Sequence, residues 1–271
     1  MNTIILKDIE VKSNAQIAGR LGALKRNSIH GNPATKESRR KGGLAAYSNF
    51  KLNLSLSFNK GFKLEKKILY PEKTPQLAEF IGILLGDGSI NDYQVRIYFN
   101  AKTDTSYANF VRNMAQGLFN IDSNIALRPK NTLELVISSK ALVNFLLEIG
   151  LKKGNKVKQA IDAPAWIYDS MDNLYSCLRG LMDTDGGVYF HVHNTKGIKY
   201  RNMVLCFTSH SKPLLCSVEK MFFSVGISAK NDLRERVLVY NRLDIEKYMN
   251  IVGSHNQNFL TRFESYKGPK V

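Results

Sequence analysis

A chain of 271 residues can bury one large core or two small ones, and 44% hydrophobic content with only seven prolines excludes a disordered or low-complexity polypeptide. Thirty-nine Lys and Arg against 23 Asp and Glu leave a net charge of +16 and a pI near 9.7, which points to a polyanion, with nucleic acid ahead of an acidic membrane surface. No run approaches the roughly 18 apolar residues of a membrane span. Cys177, Cys206 and Cys216 form no CxxC pair and follow no secretory leader, so the expectation is a soluble, intracellular protein with no membrane partner, no disulfide framework and no structural zinc.

Residues 1–70 read as a basic extension. Fourteen Lys and Arg stand against four acids in residues 1–67, a net +10 that leaves +6 for the rest of the chain. Ser13-x-x-Gln16 has the spacing of a capping box and opens a short helix through AQIAGRLGALKRN. A second basic patch, ESRRKGGLAAYSN, follows the turn-like HGNPATK, and Arg39, Arg40 and Lys41 are its candidate phosphate contacts. The alternative is an unordered tail, and composition does not separate the two.

From residue 71 the sequence divides into two similar halves, 71–168 and 169–271. In the first, Thr74-Pro75 is an N-cap followed by a first-turn proline, and QLAEFIGILLG continues with helical spacing. In YQVRIYFN, Val95, Ile97 and Phe99 alternate with Gln94, Arg96, Tyr98 and Asn100, the pattern of a strand with one wet face. A helix over SYANFVRNMAQGLF, a hairpin turning at Pro129-Lys130-Asn131 and a helix over KALVNFLLEIG follow. The second half repeats the order: a helix across Leu174–Met182, a longer hairpin, a helix over KPLLCSVEKMFFSVGI, short strands in AKNDLRERVLVYN and a last helix over RLDIEKYMNIVG. Phe119-Asn120-Ile121 matches Val225-Gly226-Ile227, so the expected fold class is α+β, a pseudo-dimer in one chain.

The stretch FIGILLGDG and its counterpart LRGLMDTDG both end an apolar helix on an acid between small residues. Gly82 and Gly86, like Gly180 and Thr184, are four apart on one helix face, where small residues let two helix backbones approach closely. Packed together, such helices bring Asp87 and Asp185 side by side, with Gly88 and Gly186 expected to turn the chain out in a conformation other residues disfavour. Two carboxylates at helix C-termini repel each other and the helix dipole. A hard divalent cation, Mg²⁺ above all, resolves that conflict, because it takes one or two carboxylates plus water and phosphate oxygens. A DxD reading of Asp183 and Asp185 lacks the preceding hydrophobic strand, and Asp183 is expected to cap or pack.

These two motifs resemble those of the LAGLIDADG homing endonucleases in their single-chain, two-motif form, over about residues 71–265. The resemblance implies two pseudo-symmetric αββαββα subdomains, with the motif helices at their interface and two sheets forming a DNA-binding saddle. It implies that Asp87 and Asp185 bind Mg²⁺, with Gly86 and Thr184 before them completing the ligand set. The family often places Gln or Asn, with Lys nearby, on the strand behind each acid. Counting from Phe99 and Phe207, the equivalent positions are Asn100-Ala101 and Thr208-Ser209, so Asn100 is the candidate and Lys102, His210, Lys212 or Lys156 would supply the missing cation.

Candidate base- and phosphate-contacting residues on the strands and turns are Gln94, Arg96, Tyr98, Arg128, Lys130, Glu134, Tyr189, His191, His193, Arg234 and Arg236, joined by Lys102 and Lys156. Arg suits guanine edges, Gln adenine, and Glu can accept from cytosine. His191-x-His193 puts two rings on one strand side, but no third Cys or His stands near to complete a zinc site. The function implied is a monomeric, Mg²⁺-dependent, site-specific endonuclease making a staggered double-strand break at a long target, from an intron-encoded rather than an intein frame. The rivals are a maturase acting on its own intron RNA, a non-cleaving DNA- or RNA-binding regulator on the same scaffold, and a basic ribosome-associated protein.

Overall fold

Thr74 accepts the amide of Leu77 through its hydroxyl, at 3.3 Å, and Pro75 fills the first turn, so the chain enters helix α3 (Pro75–Gly86) with its orphan donors provided for. Labels follow chain order: α1 (Asn14–His30) and α2 (Lys36–Leu52) precede α3. The computed structural model describes residues 14–31, 35–52, 66–266 and 268. The Ser13 capping box lies outside the described residues. The chain divides into two units, 1–64 and 65–271, and both predicted halves fall within the second.

In the second unit α3 leads to strands β1 (Gly88–Ile90) and β2 (Gln94–Asn100), helix α4 (Thr105–Phe119), strands β3 (Asn124–Arg128) and β4 (Thr132–Ser138), and helix α5 (Lys140–Glu148). A short 3₁₀ turn (Ala165–Asp169) precedes the repeat: α6 (Met171–Thr184), β5 (Gly186–Thr195), β6 (Ile198–Thr208), α7 (Lys212–Ser224), β7 (Lys230–Asn231), β8 (Arg236–Val239) and α8 (Arg242–Ile251). Each half is thus αββαββα, with an antiparallel sheet ordered β1-β2-β4-β3 in one and β5-β6-β8-β7 in the other. The α+β expectation holds. A further helix, α9 (Gln257–Glu264), follows α8, which sequence reading took as the last. Only Phe259 of α9 is buried, so it shows no apolar periodicity to be found.

The core explains why α3 is apolar nearly all round. Leu77, Phe80, Ile81 and Ile83 are fully buried, and α3 packs along its length against α6. Glycine sets that approach. A Cβ on Gly82 would strike the carbonyl of Cys177 and the amide of Leu181; one on Gly180 would strike the carbonyl of Glu79 and the amide of Ile83. The contacts are reciprocal, as a two-fold relation between the halves requires. A Cβ on Gly86 would meet the Thr184 hydroxyl, so threonine fills the space its partner glycine leaves.

Gly88 and Gly186 correct an expectation. Neither has a positive φ. Their Cβ atoms would instead fall against the carbonyls of Leu84 and Met182, so crowding against the preceding turn, not backbone freedom, requires glycine there. The matched turns after α4 and α7 do use left-handed residues, Asn120 at φ 49° and Gly226 at φ 67°.

Candidate active site

Asp87 and Asp185 occupy the same place in the two halves. Each is the C-cap of its helix, with φ −88° in both, and donates its amide to Ile83 or Leu181 respectively, at 3.1 and 3.0 Å. Each carbonyl accepts an amide from the following hairpin, Tyr98 onto Asp87 at 3.3 Å and Thr208 onto Asp185 at 3.0 Å. The sheet register agrees, pairing Gly88 with Ile97 and Gly186 with Phe207. Tyr98 is therefore the counterpart of Thr208. Matching Phe99 to Phe207 from sequence is two residues out, a slip that alternation cannot detect because it keeps every side chain on its face.

The two acids are held in an environment that resists their charge. Burial pushes Asp87 up to about 7, helped by the charge of Asp185 and opposed by Lys156. Burial likewise raises Asp185 to about 6, against Lys156 and His210. Lys156, from the segment joining the halves, donates its ammonium to the carbonyl of Leu85 at 2.9 Å and to that of Gly86. Burial lowers its pKa while both carboxylates raise it. One lysine thus serves two acids, leaving the pair one negative charge over. The donor set fits a hard divalent cation: two hindered carboxylates with backbone oxygens beside them. The carbonyl of Gly86 is engaged by Lys156, and the Thr184 hydroxyl is turned back onto Gly180 and Leu181 at 2.9 and 3.0 Å, so Thr184 has only its backbone oxygen to offer.

Beyond the acids the halves differ. Asp87 opens onto a polar cavity of about 120 Å³ lined by Asp104, Tyr107, Asp183, Asn256, Asn258 and Arg262 among others. One oxygen of Asp104 and the Tyr107 hydroxyl are buried there without a hydrogen-bond partner. Asp185 opens onto about 240 Å³ lined by Lys156, Thr208, Ser209 and His210, the last held by Glu235 at 3.0 Å. Asn100 lines neither of these cavities. Its carboxamide oxygen accepts the amide of Lys102 at 2.9 Å, and its own amide donates to Asp104, which shapes the turn before α4. Sequence reading missed Asp104, although an Asp just ahead of a helix-forming run is the usual N-cap signal.

A buried ionic cluster locks the interface behind Asp87. Arg179 donates to Glu79 at 3.0 and 3.2 Å and to the carbonyl of Val252 at 2.7 Å. His255 Nδ1 lies 2.6 Å from the other Glu79 oxygen, and Asp183 accepts the Ser254 hydroxyl and the His255 amide. Burial raises Asp183 to about 7, against those two hydrogen bonds. Glu79, Asp183 and His255 have ligand-like spacing, but Arg179 and the loop already fill their valences. Asp183 is a packing residue, as expected.

On the open face of the first sheet, Glu134 is buried and clamps two arginines, Arg96 at 3.3 Å and Arg128 at 2.6 Å. Arg96 also donates to Gln94 at 2.7 Å. Both Glu134 oxygens are taken, so it orients its neighbours rather than reaching a cytosine, a correction to its expected part. Tyr98 is exposed on the same face, and Lys130 lies in the β3–β4 turn at φ 62°. On the second sheet Tyr189, His191 and His193 share the face away from Val188, with the two imidazoles stacked at 5.4 Å and His193 on Tyr200 at 5.5 Å. Arg236 faces Thr208 across the ladder, while Arg234 lies in the preceding loop, not on a strand. Arg39, Arg40 and Lys41 lie on α2.

Among the described residues no helix is long and apolar enough to cross a membrane. Residues 74–150 match the LAGLIDADG-like domain family. A catalogued A-type ATP synthase chain of Pyrococcus abyssi (strain GE5 / Orsay) is 34% identical over 108 residues, 40% of this chain and 10% of that protein, so the chain spans about a tenth of that relative. Among solved structures, I-SmaMI bound to an uncleaved DNA target with calcium is 13% identical over 70% of this chain and 88% of that one, with a TM-score of 0.49. I-DmoI in complex with DNA and calcium is 16% identical over 72% and 99%, TM-score 0.48. Full-length DUF199/WhiA from Thermatoga maritima is 10% identical over 72% of this chain and 61% of that chain, TM-score 0.45. Through residues 74–150, which hold the first motif helix and the first sheet, the chain belongs to the LAGLIDADG family.

Proposed function

We propose that the chain is a site-specific DNA endonuclease that hydrolyses both strands of a long duplex target with the help of a divalent cation. The observation that carries this reading is the acid pair: two helix-ending carboxylates, joined by reciprocal glycine contacts, hindered from ionising, and sharing one lysine. Energy stored in desolvating two acids is unexplained by packing and is released when a cation binds.

Asp87 and Asp185 would hold Mg²⁺, with backbone oxygens of Gly86 and Thr184 beside them. When bound, such an ion polarises a phosphodiester and makes attack by water easier. Each half then brings one strand to its own acid. The water oxygen forms a bond to phosphorus, a P–O bond to sugar breaks, and the leaving oxygen takes a proton. On the Asp185 side, His210 is held at Nδ1 by Glu235, which leaves Nε2 to exchange that proton with solvent. Lys156 limits the repulsion between the acids before the ion arrives. Arg96 and Arg128, fixed by Glu134, would read guanine edges from the first sheet. Both acids come from one chain, which supports action as a monomer.

The test is selection of duplexes from a random pool in EDTA, followed by addition of Mg²⁺. The expected result is cutting of the selected duplex at one position, lost in Asp87→Asn and Asp185→Asn with affinity retained. Tight binding without cutting in Mg²⁺ or Mn²⁺ would make the chain a non-cleaving DNA-binding protein. Selection of RNA over duplex would favour the maturase.

A further inference from the structure

Helices α1 and α2 pose a problem that the paired acids leave untouched. Every side chain described in them is exposed, including Ile17 at 45%, Leu21 at 61%, Leu24 at 58% and Leu44 at 56%. Gly19, Gly22, Gly42 and Gly43 stand inside the helices, where glycine is the poorest helix former after proline. No atom lies within 4 Å of where their Cβ would be, so close packing within the chain does not explain them. Between residues 14 and 52 the sequence has eight Lys and Arg against one acid, Glu37, and that acid is spent on Lys41 at 3.1 Å. Helices so short, so like-charged and so rich in glycine gain little from forming alone in water.

The two helices also carry one pattern twice. Arg20-x-Gly22-x-Leu24-x-x-x-Ser28 recurs as Arg40-x-Gly42-x-Leu44-x-x-x-Ser48, twenty residues on. In each, Arg, Leu and Ser are four apart and form one stripe along the helix. The glycines leave bare backbone on the sides away from it. A repeated device suits a partner that repeats its own chemistry at regular intervals, and the excess of arginine and lysine makes that partner a polyanion. A lipid surface asks for a broad apolar face with bulky residues. In α2 that side holds little beyond Leu44 and Tyr47, among Lys36, Arg39, Arg40 and Lys41.

We propose that α1 and α2 are two copies of a duplex-binding helix that grip DNA flanking the target held by the second unit. Arg20 and Arg40 contact phosphates at equivalent places, and the bare glycine strips let each helix backbone approach a groove wall. The identity of the polyanion rests on the endonuclease reading, but the grip needs neither Asp87 nor Asp185 to cut.

The experiment uses the full chain with Asp87→Asn and Asp185→Asn, so that binding is read without cleavage, on the selected duplex with at least 20 added base pairs on each side, about two helical turns. Its partner carries in addition Ala at Arg20, Lys25, Arg26, Arg39, Arg40 and Lys41, all exposed. The expected result is loss of hydroxyl-radical protection in the flanks with the centre retained. The slope of log affinity against log salt should fall by about 5, at 0.9 for each phosphate no longer neutralised. Unchanged flanks and slope would overturn the proposal, and so would equal losses on a duplex trimmed to the centre. Tight binding of acidic phospholipid vesicles, lost in the same variant while the flanks stay protected, would assign the helices to a membrane surface and overturn it too. Flank protection in a chain that never cuts would sink the endonuclease reading and leave this one standing; cutting with no flank contribution would do the reverse.

Discussion

The surroundings of Asp87 and Asp185 diverge where their backbones do not. Both acids end helices at the same φ, cap the same turn and receive the same hairpin amide. Past the backbone the likeness stops. Asp87 faces a third and a fourth carboxylate, Asp104 and Asp183, while Asp185 faces Lys156 and His210. What is set by helix-on-helix contact is duplicated, because a change on one side must be matched on the other. What is set by connecting loops has drifted: α4 starts eight residues past Ile97, but α7 starts five past its counterpart Phe207. The two acids therefore share a position and not a chemistry.

The duplicated part should break hardest. Gly82→Ala drives a methyl into the Cys177 carbonyl, a backbone atom that cannot rotate away, and should cost about 3 kcal/mol in chemical denaturation. Gly180→Ala should cost the same within error, since it meets Glu79 in the reciprocal way. Gly86→Ala meets only the Thr184 side chain, so the added change Thr184→Gly should recover most of its loss. Unequal costs at Gly82 and Gly180 would mean that the helix pair is not two-fold related.

The drifted part should appear in the pH dependence. Both acids are raised above their ordinary value of 3.8, to about 7 and about 6, so their contribution to stability is full below about 4 and lost as pH rises through 6 to 7. A divalent ion binds the ionised pair and offsets that loss. The melting-temperature gain from Mg²⁺ should therefore be small at pH 5.5 and large at pH 8. Lys156→Met should move the midpoint of that gain up by about one pH unit, because it strips the shared cation from both acids. Asp104→Asn should move it down, acting through Asp87 alone. A gain independent of pH between 5.5 and 8 would argue against a carboxylate site.

The smallest effect belongs to the first sheet. Glu134→Gln should change stability by under about 1 kcal/mol, since Arg96 and Arg128 remain partly in water. It should still relax discrimination at the base pairs they read by about tenfold, because a guanidinium without its clamp is no longer pre-aimed.

Much of this was legible in the sequence for a simple reason: it depends on local periodicity and on residue size. The spacing of Gly82, Gly86, Gly180 and Thr184 announced the close helix pair, and alternation in QVRIYFN announced a strand with one polar face. The matched turns at Asn120 and Gly226 followed from chemistry that tolerates a positive φ. What stayed hidden depends on distant partners. The hairpin register was two residues off because period 2 is blind to an even shift. Lys156 comes from the joining segment, 69 residues from Asp87, and nothing local marks it. The lock of Ser254, His255 and Asn256 on Asp183 joins residues some 70 apart, in a loop without periodicity. Glu134 looked like a base reader because sequence shows its face but not the two arginines that consume it.

The most direct measurement follows each strand of the selected duplex, labelled separately, through a single turnover in Mg²⁺. With wild-type protein both strands should be cut, at different rates because the two cavities differ. Asp87→Asn should spare one strand and Asp185→Asn the other, each by on the order of a hundredfold or more. If both variants cut both strands at the wild-type rate, the two acids are not the catalytic pair.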